Sequence, residues 1–253
     1  MANYPDLSGQ HVFITGAARG LGRSMAEKLA GCGATVAVTD VDAAGCEEVA
    51  KAIRAAGGAA LAYPVDVSLR DEFVEAAAQF AKTGGRIDAV VNNAMLLRYE
   101  PVENITAETL SRMTAIGING SIWGAQALLA HYDAARGGAI VNMASPVAEK
   151  GFPNTAAYSL VKGAIVTLTK VLAAELGPRN VRVNAIAPGS VPTPGALGLN
   201  DKAEYARRAR SIPLRRLGRE EDNAAACAFL LSSAASFING EILHVDGGIA
   251  AAG

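Results

Sequence analysis

Residues 11–22, HVFITGAARGLG, run from an apolar strand-like segment through a glycine-rich turn into the start of a helix. The glycines of this turn, Gly16, Gly20 and Gly22, let a backbone bend sharply and approach a pyrophosphate, whose negative charge the helix N-terminus favours. Glycine-rich turns are common in α/β proteins, so the turn alone is a weak indication. The strand before it and the helix after it predict a dinucleotide-binding segment.

Six further strand-like runs follow along the chain, each separated from the next by a stretch of helical length. They are continuously apolar rather than alternating, which is typical of strands covered on both faces. This order predicts an α/β fold with a parallel, doubly wound sheet and helices on both faces. The seven predicted strands are His11 to Ile14, Thr35 to Thr39, Ala60 to Tyr63, Ile87 to Val91, Ala139 to Met143, Val181 to Ile186 and Glu241 to Val245. No linker or repeat divides the chain, so we predict one domain over residues 1–253.

Composition excludes several classes of function. The chain has 253 residues, of which 51% are hydrophobic and 19% charged, and this is enough for one large globular α/β domain. The net charge of -1 gives no electrostatic reason to expect binding to nucleic acid or to an anionic membrane. No apolar stretch reaches the roughly 18 to 20 residues of a membrane span. The three cysteines and three histidines are scattered, which predicts a reducing, cytoplasmic setting and no metal site.

Ser145, Tyr158 and Lys162 form the pattern S-x12-Y-x3-K. Tyr158 and Lys162 are four residues apart in a helix predicted from about Thr155 to Gly177, so both side chains lie on one helix face. A free tyrosine titrates near pH ~10, and acid/base work near pH ~7 needs roughly 4 kcal/mol in favour of tyrosinate. A lysine charge in a poorly hydrated site can supply much of this, and Ser145 can hold a substrate oxygen. The alternative is a Tyr and a Lys with no joint role, which is the commoner situation.

Asp40 ends the second predicted strand, eighteen residues after Gly22. A carboxylate at this position accepts hydrogen bonds from the adenosine ribose and repels a 2′-phosphate, which favours NAD over NADP. Arg19 favours NADP instead, because a cation inside the turn could contact a 2′-phosphate. Asp40 carries more weight since it would lie directly at the ribose, whereas Arg19 is plausibly solvated and in contact with phosphate.

Together these motifs resemble those of the classical short-chain dehydrogenase/reductase family over nearly the whole chain. Residues 15–22, TGAARGLG, match its TGxxxGxG motif, and residues 92–94, NNA, match the start of its NNAG motif. Residues 66–67, DV, match the pair that brackets the adenine. Residues 188–193, PGSVPT, match the segment that holds the nicotinamide carboxamide, and residues 245–248, VDGG, match a segment that helps to build a tetramer in relatives.

The resemblance implies a single-domain Rossmann fold, a homotetramer and a set of cofactor contacts. The residues it implies for the cofactor are Gly16, Arg19, Gly20, Leu21, Gly22, Asp40, Asp66, Val67, Asn93, Ala94, Tyr158, Lys162, Pro188, Gly189, Val191 and Thr193. Taken singly, some matches have ordinary alternatives. Asp66 could be only a helix N-cap before the stretch that begins at Ser68, and the two segments that contain Asn93 and Gly189 could be simple turns.

Two positions depart from the family pattern. Met95 stands where the NNAG motif has its glycine. Anchoring on Gly120 and Gln126 places Gly117 where the family has an asparagine, which is thought to hold a water that links the lysine to solvent. Asn119 is two residues on, about 200° around an α-helix, so we expect it to face elsewhere. A lost relay predicts turnover slower by up to ~10²-fold. If water on the Gly117 backbone replaces the amide, Gly117→Asn should raise turnover modestly.

These observations predict an NAD(H)-dependent oxidoreductase that interconverts a small or medium secondary alcohol and its ketone, with Tyr158 as acid/base. The rival hypothesis is a dinucleotide-binding sensor or scaffold that has lost catalysis, for which Gly117 is the best support. An acyl-carrier ketoreductase is disfavoured by Asp40. An enoyl reductase is disfavoured because that group carries a longer spacing between its tyrosine and lysine. The sequence does not fix the physiological substrate, the direction or the stereochemistry.

The substrate contacts are predicted from position in the chain. Residues 188–218 are rich in proline and are predicted to form a substrate-binding loop or lid, with a short helix near Asp201 to Arg210. Apolar residues that follow the predicted strand ends or lie in this lid suggest the pocket, and these are Met95, Leu96, Leu97, Val147, Phe152 and Leu197. The arginines Arg98, Arg207, Arg208 and Arg210 could meet an acidic group on the substrate. A solvated helix face is the favoured explanation for these arginines.

Overall fold

Seven parallel strands form the centre of the protein in a computed structural model that describes residues 5–196 and 202–252. The strand order is β3-β2-β1-β4-β5-β6-β7, and each neighbouring pair is parallel. The strands are β1 His11–Thr15, β2 Thr35–Asp40, β3 Ala59–Pro64, β4 Ala89–Asn92, β5 Gly138–Met143, β6 Val181–Pro188 and β7 Ile242–Val245. The predicted α/β class and the predicted sheet are confirmed.

Eight α-helices connect the strands in the described part of the chain. They are α1 Gly20–Gly31, α2 Ala43–Ala55, α3 Arg70–Gly84, α4 Ala107–Thr114, α5 Gly120–His131, α6 Ala156–Leu176, α7 Lys202–Ser211 and α8 Glu220–Leu231. In the longest of them, α6, every fourth residue is buried over five successive positions. Because an α-helix repeats every 3.6 residues, these positions lie on a single face. The buried residues on that face are Ala157, Val161, Ile165, Thr169 and Ala173.

Helices cover both faces of the sheet, and this explains the unbroken apolar runs. Successive residues of β1 point to opposite faces. Ile14 packs into a core with α1, α2 and α8, while Phe13 packs into the other core with α3, α5 and α6. Both side chains are fully buried, so β1 is apolar on both of its faces.

The sheet reverses its winding at β1, which pairs with β2 on one side and β4 on the other. In a doubly wound sheet, ligands bind in the crevice at the carboxyl ends of the strands beside such a reversal. Registered pairing brings Thr15 beside Thr39 and Ile14 beside Val91, so the segments that follow these three strands emerge together. The fold therefore places the glycine turn, Asp40 and the asparagines after β4 at one edge.

A π-helical turn, Ala115–Asn119, separates α4 from α5. Such turns are rare and are found frequently at functional sites. The α-helical geometry that we assumed for the positions of Gly117 and Asn119 is therefore wrong, because a π-turn has a wider repeat than the α-helix. Gly117 is buried in this turn, and its carbonyl oxygen accepts a hydrogen bond from Ser121 Oγ at 2.7 Å.

Candidate active site

The glycine turn, residues 15–22, has the backbone geometry of a phosphate cradle. Gly16 and Gly20 adopt φ of +65° and +60°, which side chains other than glycine rarely adopt. A Cβ on Gly22 would overlap the carbonyl oxygen of Gly16. Helix α1 begins here without an acidic residue in its first turn, and among the described residues the side chain of Arg19 does not cap it. Its free N–H groups and positive dipole end fit a phosphate anion.

Asn93 fastens the glycine turn to the end of β4. Its side-chain amide donates to the carbonyl oxygens of Thr15 and Gly16, both at 2.9 Å. In return, the hydroxyl oxygen of Thr15 accepts from the backbone N–H groups of Asn93 and Ala94 at 3.0 and 3.1 Å. Asn93 and Ala94 thus lie against the turn, and the Asn93 amide is committed to the protein backbone.

Asp40 lies at the end of β2, beside the glycine turn. Its carboxylate accepts hydrogen bonds from the backbone N–H groups of Ala18 at 3.3 Å and Asp42 at 3.2 Å. These bonds fix the direction of the carboxylate and leave acceptor capacity for a ribose hydroxyl. Arg19 is exposed, in keeping with a solvated side chain that can also contact phosphate.

The remaining predicted cofactor segments converge on the same edge. Thr193 lies next to Gly20, where a Cβ on the glycine would be 3.5 Å from the Thr193 side chain. Gly189 packs so closely on the tail that a Cβ there would lie 2.7 Å from Cα of Asp246. Asp66 accepts from both the backbone and the hydroxyl of Ser68, at 2.9 and 2.7 Å. The helix that follows has Leu69 as its N-cap, so the alternative of Asp66 as an N-cap is wrong.

Four more of the predicted cofactor residues lie on the segments just described. Two of them are buried and two are partly buried. They are Val67 and Val191, which are buried, Leu21 of α1, which is partly buried against the core, and Pro188 at the last position of β6.

Ser145, Tyr158 and Lys162 come together at the end of β5. Ser145 follows this strand and is 8% exposed, and its side chain shares a hydrogen bond with that of Tyr158. Tyr158 and Lys162 occupy the first two turns of α6 on the same face, with the Lys162 ammonium 5.6 Å from the centroid of the Tyr158 ring. The Lys162 Nζ donates to the carbonyl oxygen of Met143 at 2.6 Å.

Burial acts on both titrating groups of this cluster. It lowers the pKa of Lys162 to about 8, because a buried ammonium loses hydration. It raises the pKa of Tyr158 above its ordinary value, and the nearby Tyr99 raises it further, while the hydrogen bond with Ser145 lowers it. With the protein groups alone, the burial of Tyr158 outweighs the stabilisation of tyrosinate that the sequence predicts from Lys162.

Comparison with known proteins decides the family. A family model described as Enoyl-(Acyl carrier protein) reductase matches residues 16–250. The 3beta-hydroxysteroid dehydrogenase 1 of Eggerthella lenta is 38% identical over 252 residues, which cover 97% of this chain and 95% of the relative. The chain belongs to the classical short-chain dehydrogenase/reductase family. It is therefore an oxidoreductase of the alcohol/ketone type.

Solved structures of this family agree with the fold. The 3-ketoacyl-(acyl-carrier-protein) reductase of Brucella melitensis, complexed with NADH, has a TM-score of 0.90 at 36% identity and covers 97% of this chain and 100% of its own. The gluconate 5-dehydrogenase of Burkholderia cenocepacia, in complex with NADP and tartrate, has a TM-score of 0.92 at 31% identity, with 98% of both chains covered. Members of the family thus use either nicotinamide dinucleotide.

The two departures from the family pattern meet in space. A Cβ on Gly117 would overlap Cγ1 of Val161 and lie 3.0 Å from Sδ of Met95. Met95 belongs to an apolar cluster that also contains Tyr158 and Val161. The side chain that replaces the family's glycine therefore fills space beside the position that has lost its asparagine. Gly117→Asn therefore requires the side chains of Val161 and Met95 to shift, so its effect on turnover stays a prediction from the sequence.

The predicted substrate residues are only partly brought together. Val147 and Phe152 line a cavity of about 560 Å³ with residues 101–103 and with Thr155 and Ser159, but neither Ser145 nor Tyr158 lines it. Met95 lies instead in the apolar cluster around Tyr158, and Leu97 is partly buried. Leu197 lies outside the described residues.

Three of the four arginines considered for substrate binding pair with acids of the protein. Arg207 and Arg208 both pair with Glu204 at 2.7 Å within α7. Arg98 pairs with Glu100 at 3.2 Å. These ion pairs agree with the favoured explanation, a solvated helix face.

A buried polar chain behind Lys162 was not predicted. The Asn92 amide donates to Oδ1 of Asn142 at 2.8 Å, and the Asn142 amide donates to Thr169 Oγ1 at 2.9 Å. This chain ties β4 and β5 to α6. The asparagines at the end of β4 were visible in the sequence. Asn142, however, lies 50 residues after Asn92, and Thr169 lies 27 residues after Asn142.

The part of the chain that the structure describes lacks two features, a membrane-spanning helix and a metal-binding cluster. No helix there has both the length and the apolar character to cross a membrane. No group of three or more His, Cys, Asp or Glu side chains is placed to hold a metal ion in the same residues. The three cysteines are buried and free.

Proposed function

We propose that the protein is an NAD(H)-dependent alcohol dehydrogenase or carbonyl reductase, with Tyr158 as the acid/base for a small or medium secondary alcohol and its ketone. The observation that carries this proposal is the cluster at the end of β5, where Tyr158 shares a hydrogen bond with Ser145 and has the Lys162 ammonium 5.6 Å from its ring. The secondary-alcohol class is supported by the relatives, since a 3beta-hydroxysteroid and the fifth carbon of gluconate both carry such a group.

Bound NAD would supply the hydride acceptor and, in its oxidised form, a positive charge. The residues that would hold it are those of the glycine turn, Asp40, and the segments at residues 66–67, 93–94 and 188–193. Asp40 supports NAD over NADP, because its carboxylate at the end of β2 lies beside the turn and opposes a 2′-phosphate.

In the oxidation direction, Tyr158 takes the hydroxyl proton of the alcohol at its phenolic oxygen, and it returns this proton in the reduction direction. Ser145 holds the substrate oxygen beside the phenol and stabilises the charge that develops on it. Lys162 favours tyrosinate by its charge, and its hydrogen bond to Met143 fixes the position of the ammonium. Because the pKa of Lys162 is lowered to about 8, this support decreases as the pH rises above about 8.

Residues 188–218 are proposed as the substrate lid, with α7 as its helix. Two described contacts support this role. Tyr205 in α7 donates to the carbonyl oxygen of Ala196 at 3.3 Å, and Thr193 lies beside Gly20 in the glycine turn. We also propose a cytoplasmic homotetramer, for which analytical ultracentrifugation is the direct measurement.

The experiment that tests the activity is an absorbance assay for NADH at 340 nm across a panel of secondary alcohols and ketones. We expect turnover with at least one alcohol–ketone pair, a higher kcat/KM with NAD than with NADP, and loss of that turnover in Tyr158→Phe. Unimpaired turnover in Tyr158→Phe would contradict the proposed acid/base.

A second candidate is a dinucleotide-binding sensor or scaffold without catalysis. The observation in its favour is Gly117, which takes the place of the family's asparagine and is packed under Val161 and Met95. Binding of NADH without turnover across the whole panel would favour this candidate.

A further inference from the structure

Tyr99, in the loop between β4 and α4, contacts the proposed acid/base directly. Its ring centroid lies 5.5 Å from that of Tyr158, and the rings meet edge to face at 68°. This is the one aromatic pair that Tyr158 makes in the described ranges. Edge-to-face pairs are stabilised by the ring quadrupoles beyond the area that they bury. The contact restricts the orientation of the Tyr158 ring about its own axis.

The backbone on either side of Tyr99 is fixed to the loop that precedes Tyr158. The N–H of Glu100 donates to the carbonyl oxygen of Asn154 at 2.8 Å, and Asn154 itself adopts a left-handed φ of +64°. Arg98 pairs with Glu100 at 3.2 Å, and the Glu100 side chain is only 12% exposed. Tyr99 is therefore held by its neighbours in the chain and does not depend on the aromatic contact for its place.

Two side chains of α7 act on the pKa of Tyr99. Burial raises the pKa of Tyr99, while the charge of Arg208 opposes this shift and Tyr205 adds to it. Since Arg208 and Tyr205 belong to α7, Tyr99 is near this helix as well as in contact with the ring of Tyr158.

We propose that Tyr99 is a positioning residue whose ring holds the phenol of Tyr158 in the orientation required for proton transfer. This inference rests on the proposed role of Tyr158. Tyr99 is not itself the acid/base, because the hydrogen bond with Ser145 and the approach of Lys162 are both made by Tyr158. The rival explanation is that Tyr99 only fills space.

The test compares Tyr99→Leu and Tyr99→Phe with a matched control, Tyr63→Leu. Tyr63 makes an edge-to-face pair with Phe80, at 6.0 Å and 72°, and this pair does not include Tyr158. With NAD and the alcohol that the panel shows to be oxidised fastest, we expect kcat to fall about 5- to 10-fold in Tyr99→Leu, as loss of an aromatic pair predicts. We expect KM for NAD to be unchanged, Tyr99→Phe to keep kcat within about 2-fold, and Tyr63→Leu to lose stability but not kcat.

A second measurement does not require turnover. Tyrosinate absorbance near 295 nm is followed against pH in wild type and in Tyr99→Leu. The same titration in Tyr158→Phe and in the double variant Tyr99→Leu/Tyr158→Phe is subtracted, and the difference is the titration of Tyr158. Because the phenol of Tyr99 raises the pKa of Tyr158 through its charge, Tyr158 should titrate at lower pH in Tyr99→Leu. A slower enzyme with a more acidic Tyr158 is the combination that positioning predicts and that space filling does not.

Three results would overturn the inference. They are a kcat in Tyr99→Leu equal to that of Tyr63→Leu, a loss in Tyr99→Phe as large as in Tyr99→Leu, and an unchanged titration of Tyr158. Failure of the proposed function looks different, because Tyr158→Phe would then keep wild-type turnover whatever residue stands at 99.

Discussion

The proposed cofactor side of the site is held by hydrogen bonds to backbone groups. The proposed substrate side is held by packing between side chains of separate segments. On the cofactor side, the Asn93 amide binds two carbonyl oxygens of the glycine turn, and Gly22 has no room for a Cβ. On the substrate side, Met95 packs on Gly117 and Tyr99 packs on Tyr158. The first arrangement tolerates few residue types, while the second can be rebuilt by changing a few side chains.

The largest effect is expected where the two sides meet, at Tyr158. Tyr158→Phe removes the proton that is transferred but keeps the ring against Tyr99, so turnover should fall by about 10³-fold or more. The affinity for NADH, measured by fluorescence titration, should stay within about 2-fold, because the glycine turn and Asp40 are untouched. Loss of NADH binding in this variant would show that the two sides are not separable.

The cofactor side is tested by Gly22→Ala. The new Cβ would overlap the Gly16 carbonyl oxygen, so the turn must shift, with an expected loss of about 1–3 kcal/mol in the free energy of unfolding. NADH affinity should fall at least about 10-fold along with it. Gly31→Ala, at the other end of α1, is the control, since a Cβ there meets no atom within 4 Å. Equal NADH affinities in the two variants would contradict a rigid turn.

The substrate side is tested by Gly117→Asn alone and combined with Val161→Ala. Because a Cβ on Gly117 overlaps Cγ1 of Val161, the single variant should lose about 1–3 kcal/mol of stability in urea unfolding. Removing the Val161 methyl groups should recover part of this loss, whereas two independent sites would give additive losses. Higher turnover in Gly117→Asn with unchanged stability would instead support the expectation from sequence.

Cofactor choice is tested by Asp40→Asn, with Asp42→Asn as the control. Asp42 carries the same charge two residues later and caps α2 through Gly45. A charged hydrogen bond contributes about 1.5–3 kcal/mol, so the ratio of kcat/KM for NAD to that for NADP should fall about 10- to 100-fold in Asp40→Asn. The same fall in Asp42→Asn would mean that general charge, and not contact with the ribose, sets the preference.

The most gradual effect is the pH dependence of stability that Lys162 contributes. Its pKa falls from 10.5 in the unfolded chain to about 8 in the folded protein, so the unfolded state binds more protons between these values. Stability should therefore rise from about pH 8 towards pH 10, by at most ~1.4 kcal/mol per pH unit. Lys162→Met should show a flatter profile in urea unfolding over this range. A parallel profile in the two proteins would argue against a buried ammonium.

The contrast between the two sides also explains what the sequence could predict. The glycine turn, Asp40 and the spacing of Tyr158 and Lys162 are local patterns, each within one strand–turn–helix unit or one helix face, so periodicity and motif spacing identify them. The seven strands follow from apolar runs for the same reason.

What escaped prediction depends on contacts between distant segments. Met95 contacts the position of Gly117, 22 residues later in the chain, and Tyr99 contacts Tyr158, 59 residues later. No spacing rule predicts contacts between segments so far apart. The π-turn at Ala115–Asn119 escaped as well, because apolar periodicity does not distinguish a single wide turn inside a long helix. The direction of the Tyr158 pKa shift required the burial of the ring, which only the folded structure gives.

The buried amides of Asn92 and Asn142 and the hydroxyl of Thr169 include no residue of the loops at 95–104 or 146–154. Met143, whose carbonyl oxygen accepts from the Lys162 ammonium, follows Asn142 in β5, so this contact of the ammonium is made to the sheet and not to these loops. New alcohols could be accommodated during evolution by exchanging loop residues, with the proton-transfer geometry inherited unchanged. Directed evolution of specificity should accordingly find its tolerated positions in these loops, and none among the three residues of the buried chain.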